Sequence, residues 1–114
     1  MRQITLTREF LGESITLLAL SFDRELHISL YGGHRPHIGA VAVGSRAGHH
    51  TTQFPGHREG AICEPWCASL LEKGFSPVVV EAGIHYDDLT PEGIQAVLNL
   101  TNDMLAEALE ALVS

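Results

Sequence analysis

Hydrophobic and polar residues alternate along the first third of the chain, which is typical of half-buried β-strands. In residues 3–9, Ile4 and Leu6 alternate with polar neighbours, and residues 14–22 form a run rich in apolar and β-branched side chains. Residues 26–31 alternate again and end at a pair of glycines. Only a short polar break separates the last two segments, so we predict that they form an antiparallel hairpin.

The fourth predicted strand spans residues 38–43, where small side chains would let another group approach one face closely. Residues 44–57 have no hydrophobic period, so they are predicted to form a long loop. In this loop, His49 and His50 either lie on a lid or belong to a solvated connector. The four strands are expected to be neighbours in chain order.

Two helices and one more strand are predicted in the second half of the chain. Residues 58–73 have helical spacing, and Pro65 requires either a helix start next to it or a kink. Residues 78–82 form a short β-branched strand. Thr90 and Pro91 are typical of a helix start, and after them apolar side chains repeat every three or four residues.

Together these elements predict an α+β fold in the order ββββαβα, with a mostly antiparallel sheet and both helices on one face. The connection from the 38–43 strand to the 78–82 strand would be right-handed if those strands were parallel. The other sheet face would expose apolar side chains from residues 15–20 and 38–43, so we expect a homodimer in which a second copy covers it. The length fits one domain, residues 1–114.

The composition narrows the classes of function. Fourteen acidic residues against seven basic ones give a net charge of −7, so we expect no nucleic-acid partner. Arg35 and Arg58 nevertheless lie among glycines and histidines, where a guanidinium suits a phosphate or carboxylate. Cys63 and Cys67 are expected to be buried free thiols. No apolar run is long enough to cross a membrane or to form a signal peptide, so a cytoplasmic protein is expected.

Three short clusters set histidines beside glycine turns and predict one binding site assembled from three loops. The candidate binding residues of the clusters are Gly33, His34, Arg35, His37, Gly39, Gly56, His57, Arg58, Glu59, Gly83, His85 and Asp87. Two clusters follow the 26–31 and 78–82 strands, so they could converge at one edge of the sheet. Beside them, Gly56 and His57 either offer free N–H groups to a phosphate at a helix start or form a simple capping turn.

Other chemistry remains open for the same residues. His34, His37, His85 and Asp87 could hold zinc, iron or manganese in a small metal-dependent enzyme, or the histidines could only fix the loops in place. No complete catalytic motif occurs, and we expect His85 and Asp87 to point apart unless their loop turns, so no catalytic residue is assigned. A third possibility is an assembly subunit that binds no ligand and docks through its open sheet.

Taken together, the three clusters resemble the LpdD-type family, the small D subunits found with gallate decarboxylase and other prenylated-flavin-dependent decarboxylases. The likeness spans nearly the whole chain. The resemblance implies a non-catalytic chaperone that binds prenylated flavin mononucleotide (FMN), or FMN itself, and delivers it to a UbiD-type decarboxylase subunit. It also implies a fold similar to that of small proteasome-assembly chaperones.

A flavin mononucleotide needs one anion contact and a flat apolar slot. Arg35, Arg58 and the helix start at Gly56 and His57 could supply the anion contact. Phe54, Trp66 or Tyr86 could stack on the ring. Trp66 lies on the apolar stripe of its helix, however, so we expect it to pack in the core.

Overall fold

The structure is a computed structural model that describes residues 1–56 and 59–113. The predictions for His57 and Arg58 therefore lie outside the described residues. The elements in chain order are β1 (Arg2–Phe10), β2 (Glu13–Phe22), β3 (Glu25–Gly33), β4 (Ala40–Ser45), β5 (Gly48–Gln53), α1 (Gly60–Glu72), β6 (Val78–His85) and α2 (Pro91–Val113). The predicted α+β class is confirmed, with a mostly antiparallel six-stranded sheet and two helices.

The six strands lie in the order β1-β2-β3-β6-β4-β5. β1, β2 and β3 form an antiparallel meander, which includes the predicted hairpin. β6 lies between β3 and β4, parallel to β3 and antiparallel to β4. The expectation that the first four strands are neighbours in chain order is therefore wrong for β4, and the conditional right-handed connection from β4 to β6 does not apply. The continuous apolar run of β6 favours this central position.

β5 corrects the prediction of a long loop at residues 44–57. It pairs antiparallel with β4, so that His50 lies opposite Val43 and His49 opposite Gly44. Most of its side chains are exposed because β5 is the outer strand of the sheet. An edge strand with polar side chains needs no hydrophobic alternation, which is why the sequence pattern did not reveal it. The two histidines thus lie on a strand, neither on a lid nor in a connector.

The helices differ in how well their starts were predicted. α1 begins at Gly60 and continues through Pro65, so a start next to that proline is wrong. Pro65 has no backbone N–H group, but α1 continues through it because buried side chains pack the helix against the sheet. These side chains are Cys63, Trp66, Cys67 and Leu70. α2 has the predicted N-cap, because the Thr90 hydroxyl accepts a hydrogen bond from the Gly93 N–H at 3.0 Å. Neither described helix is long and apolar enough to cross a membrane.

Both helices pack on the same face of the sheet, as predicted. α1 covers β4, β5 and β6, and α2 covers β1 and β2. Trp66 joins the two helices, since its Nε1–H donates to Asn102 Oδ1 at 2.8 Å. Trp66 is 5% exposed, which confirms that it packs in the core. The sheet side of the core consists of fully buried side chains, among them Ile15, Leu17, Ile28, Leu30, Ala40, Ala42, Val78 and Val80.

The opposite face of the sheet, here called the open face, is covered by no element of residues 1–56 and 59–113. One row of side chains across β2, β3, β6, β4 and β5 consists of Leu20, His27, Val79, Val43 and His50. Val43 is 39% exposed and Tyr31, on β3, is 40% exposed. Near the middle of this face, His27 Nε2 lies 3.4 Å from Glu81 Oε1. The open face therefore carries both apolar and polar side chains, with the His27–Glu81 pair among them.

Cys63 and Cys67 are free and fully buried, as expected. Cys63 Sγ lies 3.6 Å from the Ala40 carbonyl oxygen, beneath the sheet. Burial raises the pKa of the Cys63 thiol to about 12, and the nearby carboxylate of Glu59 adds to the effect. Burial also raises the pKa of Cys67. Both thiols are therefore protonated at neutral pH.

We expect native protein to resist alkylation by iodoacetamide at about pH 8. With a pKa of about 12, the Cys63 thiolate is about a thousandfold rarer than that of an ordinary cysteine, and only the thiolate reacts. Mass spectrometry should show slow labelling in buffer and fast labelling of both cysteines in denaturant. Fast labelling of Cys63 in protein that circular dichroism shows to be folded would contradict the burial described here.

Candidate functional site

The candidate site lies where β3 and β6 end. These two strands are parallel neighbours, so their carboxyl ends meet at one edge of the sheet. The His34 N–H donates to the His85 carbonyl oxygen at 2.7 Å, which joins the segments that follow the two strands. The first and third glycine-histidine clusters therefore converge, as the sequence predicted.

The chain after β3 folds back across β6 and contacts it through backbone hydrogen bonds. The Gly39 N–H donates to the Ala82 carbonyl oxygen at 2.9 Å, and the His37 N–H donates to that of Gly83 at 3.4 Å. A Cβ atom at position 83 would overlap the His37 carbonyl group. Residue 83 must therefore be glycine for the two segments to lie this close.

A hydrogen-bonded group of side chains occupies this edge, here called the polar cluster. Its members are His34, Arg35, His37, Glu59, His85 and Asp87. His85 Nε2 lies 2.8 Å from Asp87 Oδ1, and the Arg35 guanidinium lies 3.4 Å from the same nitrogen. The Asp87 N–H donates to His34 Nδ1 at 3.2 Å. The expectation that His85 and Asp87 point apart is wrong, because residues two apart project from the same side of an extended segment, and these two side chains are hydrogen-bonded.

The charge of Asp87 is stabilised by its neighbours. The hydrogen bond from His85 lowers the pKa of the Asp87 carboxyl group, and the nearby His34 and Arg35 lower it further. A lowered carboxyl pKa stabilises the structure above the ordinary titration range of aspartate, and this contribution is lost as the pH falls through the lowered value. Asp87 is therefore ionised at neutral pH and holds the His85 ring in one orientation.

His37 and Glu59 link the second cluster to the other two. His37 Nε2 lies 2.8 Å from Glu59 Oε1, and His37 Nδ1 lies 2.9 Å from the Arg35 carbonyl oxygen. Glu59 immediately precedes α1 and is 8% exposed, so its carboxylate is almost entirely removed from water. The pair ties the segment before β4 to the start of α1.

Tyr86 connects the polar cluster to the turn between β1 and β2. Its hydroxyl group donates to the Phe10 carbonyl oxygen at 2.8 Å, and its ring meets those of Phe10 and His34 edge to face. The residue is 6% exposed, and burial raises the pKa of its hydroxyl group. Tyr86 therefore packs against the His34 ring and links it to Phe10.

An apolar cleft of about 510 Å³ opens beside the polar cluster, between the starts of α1 and α2. Its apolar walls consist of Ala61, Ile62, Ile84, Leu89, Ile94, Val97 and Leu98, with Tyr86 beside them. Gly56, Glu59 and His85 also line it. The sequence prediction missed the cleft walls on α2. The sequence signal for these walls was the apolar stripe of α2, which is wider than packing against the sheet requires. The first residue of this stripe, Ile94, is 49% exposed.

The four candidate metal ligands do not form one ligand set. His37 is engaged by Glu59, whereas His34 and His85 are engaged by the backbone and side chain of Asp87. Among residues 1–56 and 59–113, no group of three or more His, Cys, Asp and Glu side chains is placed to hold a metal ion. The metal-dependent alternative thus loses its geometric basis in the described part of the chain.

The fold and the site describe a small α+β protein with an apolar cleft beside a charged, hydrogen-bonded rim. Residues 9–113 match the family model of the prenylated flavin chaperone LpdD-like domain. This match covers nearly the whole sequence, so the chain belongs to that family, and the resemblance seen in the three clusters is confirmed. A search of curated proteins finds no match.

We expect Gly83→Ala to disrupt the polar cluster. The added methyl group would overlap the His37 carbonyl, and such overpacking costs about 2 kcal/mol of unfolding free energy or more. Chemical denaturation measures the loss, and NMR spectra of the histidine rings report the cluster. Gly93→Ala is the matched control, because the nearest atoms there belong to the flexible side chain of Leu89. Equal stabilities of the two variants would contradict the close approach at position 83.

Proposed function

We propose that this protein is a non-catalytic chaperone that binds prenylated FMN and delivers it to a UbiD-type decarboxylase subunit. The observation that carries the proposal is an apolar cleft directly beside a polar cluster that contains an arginine. A flavin nucleotide has the same two parts, a flat apolar ring system and a charged phosphate. Membership of the prenylated flavin chaperone family supports this choice of ligand.

The ring system of the flavin is proposed to occupy the cleft. Branched aliphatic side chains from both helices provide apolar contact on two sides, and most ligand sites are lined in this way. Of the three aromatic candidates, Tyr86 lines the cleft and Trp66 packs in the core. Phe54 is 42% exposed, and its N–H donates to the Gly39 carbonyl oxygen. Tyr86 is therefore the aromatic residue that we propose to contact the flavin.

The phosphate is proposed to bind on the Arg35 side of the cluster. Arg35 contacts His85, which lines the cleft, and a guanidinium can form two hydrogen bonds to one phosphate. Gly56 also lines the cleft, while Gly33, Gly39 and Gly83 are proposed to act through the backbone shape of the site. Roles for His57 and Arg58 remain predictions.

We further propose a homodimer formed through the open face. A face-to-face pair would bury the side chains of Val43 and Val79, and a two-fold axis would let His27 of each copy approach Glu81 of the other. The same surface would suit the alternative of an assembly subunit without a ligand, so the two proposals need separate tests. The cytoplasmic location, the single domain and the likeness to proteasome-assembly chaperones remain predictions.

We expect the protein to bind prenylated FMN with micromolar affinity in a fluorescence titration and to transfer it to an apo-decarboxylase. Arg35→Ala should weaken binding about tenfold to a hundredfold, because it removes a charge-assisted hydrogen bond to phosphate. Ile94→Glu should weaken it similarly by placing a charge in the cleft.

Arg46→Ala and Val113→Glu are matched controls, since Arg46 lies between β4 and β5 and Val113 ends α2 at an exposed position. Both controls should bind like the parent protein. Equal affinities of the two site variants and their controls would reject the proposed site. Absence of binding to prenylated FMN and to FMN would reject the proposed function.

We expect light scattering to give a mass about twice that of the 12.4 kDa chain. Val43→Lys should weaken dimerisation about a hundredfold or more, because it buries an unpaired charge in the interface. Val113→Lys introduces the same charge at an exposed position on α2 and should leave the dimer intact. A monomeric parent protein, or a dimer unaffected by Val43→Lys, would contradict an interface on the open face.

A further inference from the structure

The turn between β1 and β2 holds a leucine in a backbone conformation that leucine rarely adopts. Leu11 has a φ of 52° and Gly12 a φ of 80°, and these two residues connect the paired positions Phe10 and Glu13. Positive φ at both central residues defines a type I′ hairpin turn, in which Asn, Asp or Gly is the usual first central residue. An apolar side chain forms no local hydrogen bond that offsets the steric cost of this conformation. Leu11 therefore destabilises the turn compared with Asn or Gly.

The other residues with this conformation are of the expected type. Among residues 1–56 and 59–113, the only other non-glycine residues with a positive φ are Asp23 and Asp88. Aspartate tolerates the left-handed region because its short polar side chain can bond to the nearby backbone. Asp23 is the informative comparison, because it lies in the two-residue turn between β2 and β3 of the same meander. The turn at the opposite end of β2 thus has a suitable residue, whereas the turn at residue 11 does not.

Packing within the chain does not explain this leucine either. Leu11 is 66% exposed, so most of its side chain stays in water. A single exposed apolar side chain is ordinary. An exposed apolar side chain at a position that also strains the backbone is not, because neither folding stability nor solubility favours it. Strained residues of this kind are typical of functional sites.

The turn lies at the same end of the sheet as the polar cluster. β2 is antiparallel to both β1 and β3, so β1 ends where β3 and β6 end. Phe10, next to Leu11, packs edge to face against Tyr86, which lines the apolar cleft. The described lining of the cleft does not include Leu11. Leu11 is therefore placed beside the cleft and directed away from its wall, where a second protein can reach it.

Exposed apolar side chains continue from Leu11 across this end of the sheet. Ile38 precedes β4, Phe54 follows β5, and Ile94 lies in the first turn of α2. These four residues are called the apolar border. β1 and β5 are the outer strands of six, so the border extends over about 24 Å at the usual strand spacing. A contact of this diameter buries about 900 Å² in total, which is typical of transient protein complexes.

The charges at this end indicate the chemistry of the partner. Asp87 and Asp88 follow β6 and are exposed, and so is Glu92 in the first turn of α2. A protein surface that complements them carries basic side chains around an apolar pocket, and such complementarity speeds association more than it tightens it. Fast and weak association suits a protein that must leave after each delivery.

We propose that Leu11 is the anchor by which this protein docks on the enzyme that receives its cofactor. The apolar border forms the rest of the contact. This inference rests on the proposed function, since the receiving enzyme is the UbiD-type decarboxylase proposed above. Docking at this end sets the cleft against the decarboxylase, and the strain at Leu11 is the stability that the chain gives up for this contact.

Leu11→Asn tests the anchor without endangering the fold, because asparagine suits a positive φ. We expect its melting temperature to rise by a few degrees. Its affinity for prenylated FMN should equal that of the parent protein. The second-order rate constant of transfer to a purified apo-decarboxylase should fall about tenfold to a hundredfold, because one leucine side chain is no longer buried in the complex.

Two further variants serve as controls. Leu11→Met keeps an apolar side chain of similar size at the turn and should retain most of the transfer rate. Val113→Asn removes an equally exposed apolar side chain at the other end of the sheet, where the Arg2 guanidinium donates to the Leu112 carbonyl oxygen. It should transfer the cofactor like the parent protein. Light scattering should give all three variants the mass of the parent protein.

Each other outcome overturns the inference. Unchanged transfer by Leu11→Asn shows that the leucine is no anchor, and weaker flavin binding places it in the cofactor site instead. A changed mass assigns it to an interface between copies, and a melting temperature that does not rise removes the argument from strain.

Biolayer interferometry separates this inference from the proposed function, because it measures docking of flavin-free protein on the apo-decarboxylase. Docking that Leu11→Asn weakens supports the anchor even if no flavin binds, in which case the proposed function alone fails. Flavin binding by a parent protein that does not dock leaves the binding site intact and overturns the anchor.

Discussion

The parallel pairing of β3 with β6 is the constraint on which the site depends. Two strands that run in the same direction end at the same edge, and the segments that follow them must share the space beyond it. Because β6 is also antiparallel to β4, the chain between β3 and β4 has to cross the end of β6. That crossing brings His37 over Gly83 and leads the chain towards the start of α1.

The same arrangement separates the apolar part of the site from its polar part. One face binds both helices, and the gap between their starts becomes the cleft. The end of the sheet supplies charged and hydrogen-bonding groups, which would be costly to bury inside the helix layer. Apolar contact and polar contact thus come from different elements, although they meet at Glu59 and His85.

Much of the fold could be predicted from local patterns, while contacts between distant elements could not. Alternation in β1 to β3 and the Thr90 cap of α2 are signals that a few consecutive residues carry. The polar edge strand β5 carries no such signal, because neither of its faces is strongly buried. The glycine-histidine clusters that follow β3 and β6 correctly indicated that these two segments converge. The pairing of His37 with Glu59 depends on how α1 is placed against the sheet, which no spacing within either segment specifies.

The opposite placement of the cleft and the open face has a consequence for handing over a cofactor. A pair of chains joined through their open faces would carry its two clefts on its outer sides, each accessible while the interface stays closed. Such a particle would be bivalent, and a decarboxylase with several subunits could be engaged at two points at once. Linked contacts raise the effective local concentration of the second site without strengthening either one. Each individual contact could then remain weak enough for the cofactor to be released.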